Sequence, residues 1–509
     1  MDKRMLLAIV LSLIILIGYQ YFFIKPVPVT QQEKITEKVS EKEKLEQKEK
    51  EKEITPISLH AIGITEKEVK VENNLYKAVF TTKGGTIKRI ELKNYKDKKG
   101  NPIVLKGDET LLPLSLGINE EFQLSRVNFF VKDGDIRLDP QNTKASLIFE
   151  YSSSEIAIRR TFNFHYDDYR IDITDEVKGV DSYLITLGKD FGIYEKDDSF
   201  HYGPVILKDT ERLEFVAKKL ADEPKSFKEG IKWVAQEDKY FFSSIVPKYP
   251  IEELKLWAKN GDAFVAIKNP AGSNNYLFYV GPKEYDRLKT YGVGLQHIVD
   301  FGFFSILAIP LFWLLKQFYF IIPNYGVSII FLTILVRIPF IPLINKGQKS
   351  MKKLQDIQPK MAEIREKYKN DPQRMQKELM ELYKKHKVNP MGGCLPILLQ
   401  IPVFFALYKI LMIAIELRGA PFVLWINDLS AKDPYYILPI IMGVTMVIQQ
   451  KMTPSTMEPT QQKIMMILPI IFTFMFLTFP SGLVLYWLVN NILSIIQQFY
   501  INKQVQKTT

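Results

Sequence analysis

The sequence is poor in the residues that build metal and redox sites. It contains one cysteine, Cys394, which excludes an internal disulfide and any cysteine-based metal cluster. Cys394 precedes an apolar run and reads as a small buried hydrophobe. The five histidines (His60, His165, His201, His297 and His386) are scattered, without a paired zinc spacing. There is no Walker motif, so nothing in the chain reads as a nucleotide hydrolase. An internal repeat with paired ionisable residues, which a secondary transporter or channel would predict, is also missing. No cofactor and no metal are expected. Acidic residues are almost absent from the long apolar segments.

What is present is unevenly distributed. At 509 residues, length alone would allow three or four domains. Hydrophobic residues make up 47% and charged ones 25%, an average over two unlike halves. The apolar runs crowd into the last two hundred or so residues, plus one at the N-terminus. A net charge of +11 could suggest nucleic acid, but the basic residues sit largely beside apolar runs. That is the positive-inside pattern of a membrane protein, and no specific nucleic-acid recognition is expected.

In chain order, Met1-Asp-Lys-Arg4 precedes an apolar run from Met5 to Ile24. A cleaved signal peptide would have a shorter core and a small-x-small cleavage site. Here the run ends in bulky aromatics, so residues 1–25 read as an uncleaved anchor with its N-terminus inside. Residues 26–56, dominated by Lys, Glu and Gln, read as a charged flexible linker. From 57 to 290 the texture is β. Two strands are expected about Gly84-Gly85, and period-two alternation in Ile156–Tyr166 and Tyr169–Ile173 flanks Asp167-Asp168. The expectation is a large antiparallel β-sandwich outside the cytoplasm. His165, His201, Asp167 and Asp197 permit acid–base chemistry, yet no spacing among them is diagnostic. A docking or substrate-cradling domain is the better reading than an envelope carbohydrate enzyme.

Residues 291–323 contain an apolar stretch, Phe301 to Leu315, flanked by Asp300 and Lys316 and interrupted by Pro310. As a span it would place the basic segment after Asn345 outside, so a helix lying on the outer interface is expected. Spans are read at 325–345, 394–417, 435–451, 464–479 and 483–501. With the anchor these make six transmembrane helices, both termini cytoplasmic. Between them, 346–390 reads as a cytoplasmic helical hairpin. Lys346 to Lys387 holds thirteen Lys or Arg against six Asp or Glu. Met351, Leu354, Ile357, Met361, Ile364 and Tyr368 recur at threes and fours, as in one amphipathic helix. Asp371-Pro372 starts a second, with Met375 and Leu379 on its apolar side. Its charge reads either as solvation or as a mobile flap, with Lys352, Lys353, Met361 and Met375 touching lipid, ribosome or nascent chain.

Gly326 to Asn345 is about long enough to cross a core of roughly 30 Å, yet it carries Arg337. Counting back from Asn345 places that residue roughly 12 Å below the cytoplasmic end. An intramembrane arginine costs from about 2.5 to above 10 kcal/mol, depending on access to water. Either it snorkels or pairs locally, or it faces a water-filled pocket; the lack of nearby carboxylates favours the pocket. Polar residues recur in the last span at Asn490, Asn491, Ser494, Gln497 and Gln498. Together with Thr333 and Gln400 they suggest one hydrated cavity shared by several helices.

Four stretches carry a resemblance: Asn389-Pro-Met-Gly-Gly-Cys-Leu-Pro396, the segment Glu416 to Ser430, Asp433-Pro-Tyr-Tyr-Ile-Leu-Pro439 and Phe479-Pro-Ser-Gly-Leu-Val-Leu-Tyr486. They resemble the YidC family of membrane protein insertases, over about Gly294 to Gln504. The anchor and β-domain look like the form found in bacteria with two membranes. The resemblance implies a five-helix insertase core enclosing a groove open to cytoplasm and lipid and closed outside. It implies a groove arginine at Arg337, with Thr333 one turn before it. A substrate-contacting aromatic falls at Trp487, where the family has tyrosine. The implied β-domain is a sugar-epimerase-like supersandwich without catalysis. The implied function is a chaperone and insertase of the inner membrane, not an enzyme. The implied partners are nascent membrane proteins, the Sec translocon with its accessory subunits, translating ribosomes and the lipid bilayer.

Overall fold

The structure, a computed structural model, describes residues 65–195, 200–386, 388, 395–452 and 459–506. The expected anchor, the linker, Asp197 and Cys394 lie outside the described residues.

The first part of the chain is two packed sheets, of five and twelve strands, antiparallel apart from one short parallel pair. Strands β1 (Tyr76–Thr81) and β2 (Thr86–Lys96) flank the glycine pair. Gly85 has φ 55°, and a Cβ there would lie 2.9 Å from the Phe129 ring, so glycine is required by both backbone and space. Strands β3 (Ala157–His165) and β4 (Arg170–Thr186) meet at Asp167-Asp168, pairing Phe164 with Ile171 and Phe162 with Ile173. In β3 every second side chain is buried, as period two requires of a sheet with one covered face. The long strand β5 (Asp262–Pro282) follows β4 from Tyr279 to Ala266, with a bulge opposite Val177 to Ser182. Phe80 of the small sheet meets Phe162 and Phe164 of the large one at ring distances of 5.1 and 5.5 Å.

One inward position of β3 is not apolar. Arg160 is fully buried and faces Asp175 on β4, Nε to Oδ1 at 2.8 Å and Nη2 to Oδ2 at 3.2 Å. Its Nη1 donates to the carbonyls of Leu114 (2.7 Å) and Gly85 (3.1 Å). The pair thus pins the β1–β2 turn and the 114 segment to the large sheet.

The helical part begins with α1 (Ser305–Ile321), α2 (Tyr325–Arg337), α3 (Ile341–Asp356), α4 (Gln358–Lys367) and α5 (Pro372–Lys385). It continues with α6 (Leu395–Ile413), α7 (Ile437–Met452), α8 (Pro459–Phe476) and α9 (Ser481–Gln506). Among the described residues, Tyr325–Asp356 and Ser481–Lys503 are long and apolar enough to cross a membrane, and α1, α7 and parts of α6 and α8 are shorter apolar helices. Their outward faces are apolar too: Phe320 on α1 is 86% exposed and Phe474 on α8 69%. Patches of that kind need lipid rather than water.

Two local breaks occur within the expected helices. The 325–345 span is interrupted by a 3-10 turn at Ile338–Phe340, because Pro339 and Pro342 cannot donate the backbone bonds that would carry one helix through. The first hairpin helix divides at Ile357, with Pro359 in the opening turn of α4. Asp371 caps α5 by accepting from Arg374 N at 3.1 Å.

The β-domain is joined to the helices by more than its connecting chain. A continuous apolar core runs through Leu288, Ile298, Phe301, Ala308 and Phe312 into the helix bundle. Arg418 donates to the Lys96 carbonyl at 2.9 Å and lies over the rings of Tyr240 and Phe241. Lys409 on α6 pairs with Asp300 at 3.2 Å, and Lys316 on α1 with Asp286.

Candidate functional site

The sequence-predicted polar residues converge where α2, α6 and α9 meet. Asn490, Ser494 and Gln497 are spaced i, i+4 and i+7, which places them on one face of α9. That face meets the end of α2. Arg337 Nη1 donates to Asn490 Oδ1 (2.6 Å) and to the Asn490 carbonyl (3.3 Å). Its Nη2 donates to Ser494 Oγ (3.0 Å) and Gln497 Oε1 (2.9 Å). Gln400 of α6 adds a bond from Nε2 to Asn490 Oδ1 at 3.3 Å. Ser494 Oγ in turn donates to the Asn490 carbonyl at 2.8 Å.

Arg337 is only 8% exposed, and every acceptor named is neutral. Among the described residues no carboxylate forms an ion pair with it. The guanidinium is therefore hydrogen-bonded but electrically uncompensated. Local pairing, one of the two sequence readings, describes its contacts; the missing countercharge leaves it able to attract an acidic group. A carboxylate is the stronger acceptor, since charge-assisted bidentate pairs to arginine are about twice as strong as neutral hydrogen bonds.

Other expected residues point elsewhere. Asn491, one step round α9, faces α7, donating to Thr445 Oγ1 (3.2 Å) and the Met442 carbonyl (3.5 Å), so it joins helices rather than the arginine. Thr333 Oγ1 bonds back to the Ile329 carbonyl on its own helix at 2.6 Å. Trp487 lies in an aromatic cluster with Phe404 (5.1 Å), Phe476 (5.3 Å) and Phe472 (6.1 Å). Its buried Nε1 has no hydrogen-bond partner among the described residues. An orphaned buried donor costs about 1–3 kcal/mol, which offsets the packing lost when the indole is cut back, so Trp487→Phe should change stability little. A thermal melt of the purified variant checks this; a clear drop in melting temperature would mean that the indole N–H has a partner in solution.

In the hairpin, Leu354, Ile357, Met361 and Val388 form a small core with Met351, Leu379, Leu382 and Tyr383 packed against it. Met361, expected on the contacting surface, is 2% exposed because it fills this core. Lys353 is exposed, while Lys352 and Met375 are half-buried.

Two residues of this region lie outside the short set of groove residues drawn from the sequence. Gln497 was visible as one of the polar positions in the last span, and the period 490, 494, 497 marks it. Asn345 read only as the end of a span. Gln497 Nε2 donates to Asn345 Oδ1 at 2.6 Å, linking α9 to α3.

At the end of the bundle facing the β-domain, the segment 414–436 folds across the helix ends. Asp433, 1% exposed, accepts from Trp425 Nε1 (3.0 Å), Tyr435 N (3.0 Å) and Leu438 N (2.7 Å), shaping the loop and starting α7. Asn324 caps α2 through Val327 N (3.1 Å) and holds the Phe422 carbonyl at 2.9 Å. Gly326 makes room for the Phe422 ring, which a Cβ would meet at 2.0 Å. The carbonyls of Ala431 and Leu429 accept from Ser481 N (2.7 Å) and Gly482 N (2.9 Å) at the start of α9.

Comparison with known proteins agrees with both halves. A family model described as "60Kd inner membrane protein" matches residues 317–508, and one described as "YidC periplasmic domain" matches 68–314. The chain is 43% identical to a membrane protein insertase YidC of Syntrophus aciditrophicus, covering 99% of this chain and all of the relative. It is 42% identical to the YidC of Geotalea daltonii at the same coverage. Among solved structures it is similar to a crystal structure of an active YidC insertase with its first transmembrane domain resolved, with 17% identity, 86% and 93% of the two chains covered, and a TM-score of 0.39.

Proposed function

The chain belongs to the YidC family of membrane protein insertases, and on that premise we propose that Arg337 and the polar face of α9 form the place where the hydrophilic part of a substrate is held during insertion. The protein is an insertase of the inner membrane with a periplasmic domain, not an enzyme. Its substrates are nascent membrane proteins, and its medium is the lipid bilayer.

The observation that carries the site is the uncompensated guanidinium bonded to three neutral side chains at a helix junction. A hydrophilic segment that must cross loses hydration. Water and a fixed positive charge inside the membrane lower that cost. Acidic residues of the segment exchange with the neutral acceptors of Arg337, and Gln400, Asn490 and Ser494 line the same place. The apolar helix beside it leaves sideways into lipid, and that burial supplies the drive, about 25 cal/mol per Å² of apolar surface.

In this reading six spans run with both termini in the cytoplasm. The helix α1 lies on the outer interface, its apolar outward face against lipid. The basic hairpin meets translating ribosomes or nascent chain, through Lys352, Lys353 and Met375. The Sec translocon and its accessory subunits are partners for larger substrates. Trp487 contributes apolar surface beside the arginine rather than a hydrogen bond.

Purified protein in liposomes, without any translocon, should insert a small single-span substrate well above empty liposomes. A protease-protection assay reads the result, and insertion no greater than in empty liposomes would refute autonomous action.

A further inference from the structure

We propose that Gln497 is a positioning residue whose side-chain amide holds closed the helix break beside Arg337 and lets go when an acidic substrate segment takes the arginine, so that the orientation of the cytoplasmic hairpin depends on whether the site is occupied. The proposal rests on the reading that acidic segments reach Arg337.

The break is weak by construction. Pro339 and Pro342 carry no N–H, so the Leu335 and Ile338 carbonyls take bonds from Ile338 N and Ile341 N within a tight turn instead of from a continuing helix. Backbone bonding therefore fixes the angle between α2 and α3 poorly, and side chains must do it. Gln497 is the described residue whose hydrogen bonds reach both sides. Its Oε1 accepts from Arg337 Nη2 (2.9 Å) before the break. Its Nε2 donates to Asn345 Oδ1 (2.6 Å) and, more weakly, to the Ile341 carbonyl (3.4 Å) after it. One amide uses its acceptor on one helix and its donors on the other.

The consequences of occupancy follow from counting acceptors. A bidentate carboxylate takes one N–H from each terminal nitrogen of the guanidinium, and on Nη2 the more accessible one is that bonded to Gln497, which is part-buried where the Ser494 bond is buried. Asn490 Oδ1, if displaced, keeps the donor of Gln400. Ser494 Oγ loses the donor it accepts from but keeps its own O–H bond to the Asn490 carbonyl. Gln497 Oε1 has no second donor among the bonds described, and of the displaced acceptors it is the one whose side chain also holds the far side of the break. An amide with a stranded acceptor reorients, and its hold on Asn345 and Ile341 loosens. Helix α3, which leads directly into the hairpin core of Leu354, Ile357 and Met361, is then free to swing. Coupling of this kind is reciprocal, so whatever pins the hairpin also changes the affinity of Arg337 for acidic segments.

The test is hydrogen exchange of residues 341–385 in the full-length protein in nanodiscs, with and without a single-span substrate bearing acidic residues. Gln497→Leu should speed exchange there about tenfold without substrate, the loss of a hydrogen bond to a charged partner, while leaving α7 unchanged. The same substrate should speed the wild type comparably and the leucine variant little further. Gln497→Glu, which holds the arginine with a resident carboxylate, should keep the hairpin protected when substrate is added and should lower insertion of acidic substrates several-fold more than that of neutral ones. Exchange in Gln497→Leu within twofold of wild type overturns the proposal, as does a glutamate variant that inserts acidic and neutral substrates alike. Should the leucine variant not fold, the glutamate variant decides. Failure of the underlying reading would show separately, as Arg337→Ala inserting acidic substrates normally while Gln497→Leu still loosens the hairpin.

Discussion

Replacing Arg337 by alanine should slow insertion of a substrate with acidic translocated residues by about tenfold to a hundredfold, the worth of a charge-assisted hydrogen-bonded pair of about 1.5–3 kcal/mol. A matched substrate with no charge in that segment should be almost unaffected. Lysine keeps the charge but not the planar fork that reaches Asn490, Ser494 and Gln497 together, so Arg337→Lys should fall between wild type and alanine. Glutamate reverses the field and should be the worst of the three with the acidic substrate. Stability should separate from activity: alanine removes an expensive buried charge and leaves its four acceptors to water, so the melting temperature should change little. Liposome insertion across the three variants with both substrates, alongside melts in detergent, decides this. If alanine and lysine insert both substrates equally well, or if alanine simply unfolds the protein, Arg337 is structural and the site loses its central residue.

The second large effect lies in the β-domain. Asp175→Ala should destabilise it by about 3–5 kcal/mol, the cost of leaving a buried charge without its partner. Arg160 would keep its bonds to the Leu114 and Gly85 carbonyls, but nothing else described there carries a negative charge within pairing distance. For a domain of this size the loss corresponds to roughly 6–20 °C in melting temperature. Residues 57–290 expressed alone should be soluble and unfold cooperatively, and calorimetry of that domain with and without the substitution reads both points. A double replacement by methionine at 160 and leucine at 175 should recover much of the loss, because well-packed apolar pairs often match a buried ion pair. Equal melting temperatures for wild type and Asp175→Ala would show that water reaches the pair.

Much of the architecture was legible because it follows from periodicity. Alternation across Ala157–His165 requires a strand covered on one face, the Asp167-Asp168 turn sets its neighbour Arg170–Thr186, and the Gly84-Gly85 turn sets a pair in the other sheet. The arginine stood out because charge is expensive among apolar residues, and the 490, 494 and 497 spacing put three acceptors on one side of a helix. What the sequence withheld depends on which face of each helix meets which neighbour. Asn490 and Asn491 are adjacent and alike, yet one holds Arg337 and the other ties α9 to α7. Trp487 falls where the resemblance implies a substrate-contacting aromatic, and it is packed among phenylalanines with no partner for its N–H among the described residues. Met361 belongs to the same amphipathic pattern as Leu354, so its burial in the hairpin core was there to be read. The Gln497–Asn345 bond could not be, since it joins residues far apart in the chain through a helix approach that no local pattern encodes.

The loop 414–436 has an electrical consequence. If water connects the arginine to the cytoplasm while Phe422, Trp425 and the Asp433 turn stop the other end, the conducting path ends at the loop. The membrane potential then falls across that thin plug rather than across the full thickness of the bilayer. An acidic residue waiting at Arg337 has felt little of the field; carried past the plug, it gains most of the ~2.3 kcal/mol that one charge acquires per 100 mV. Because the outside of a respiring membrane is positive, that gain favours outward passage of acidic segments and opposes that of basic ones. A loop that closed the outer end in this way would also concentrate the membrane potential on the last step of translocation.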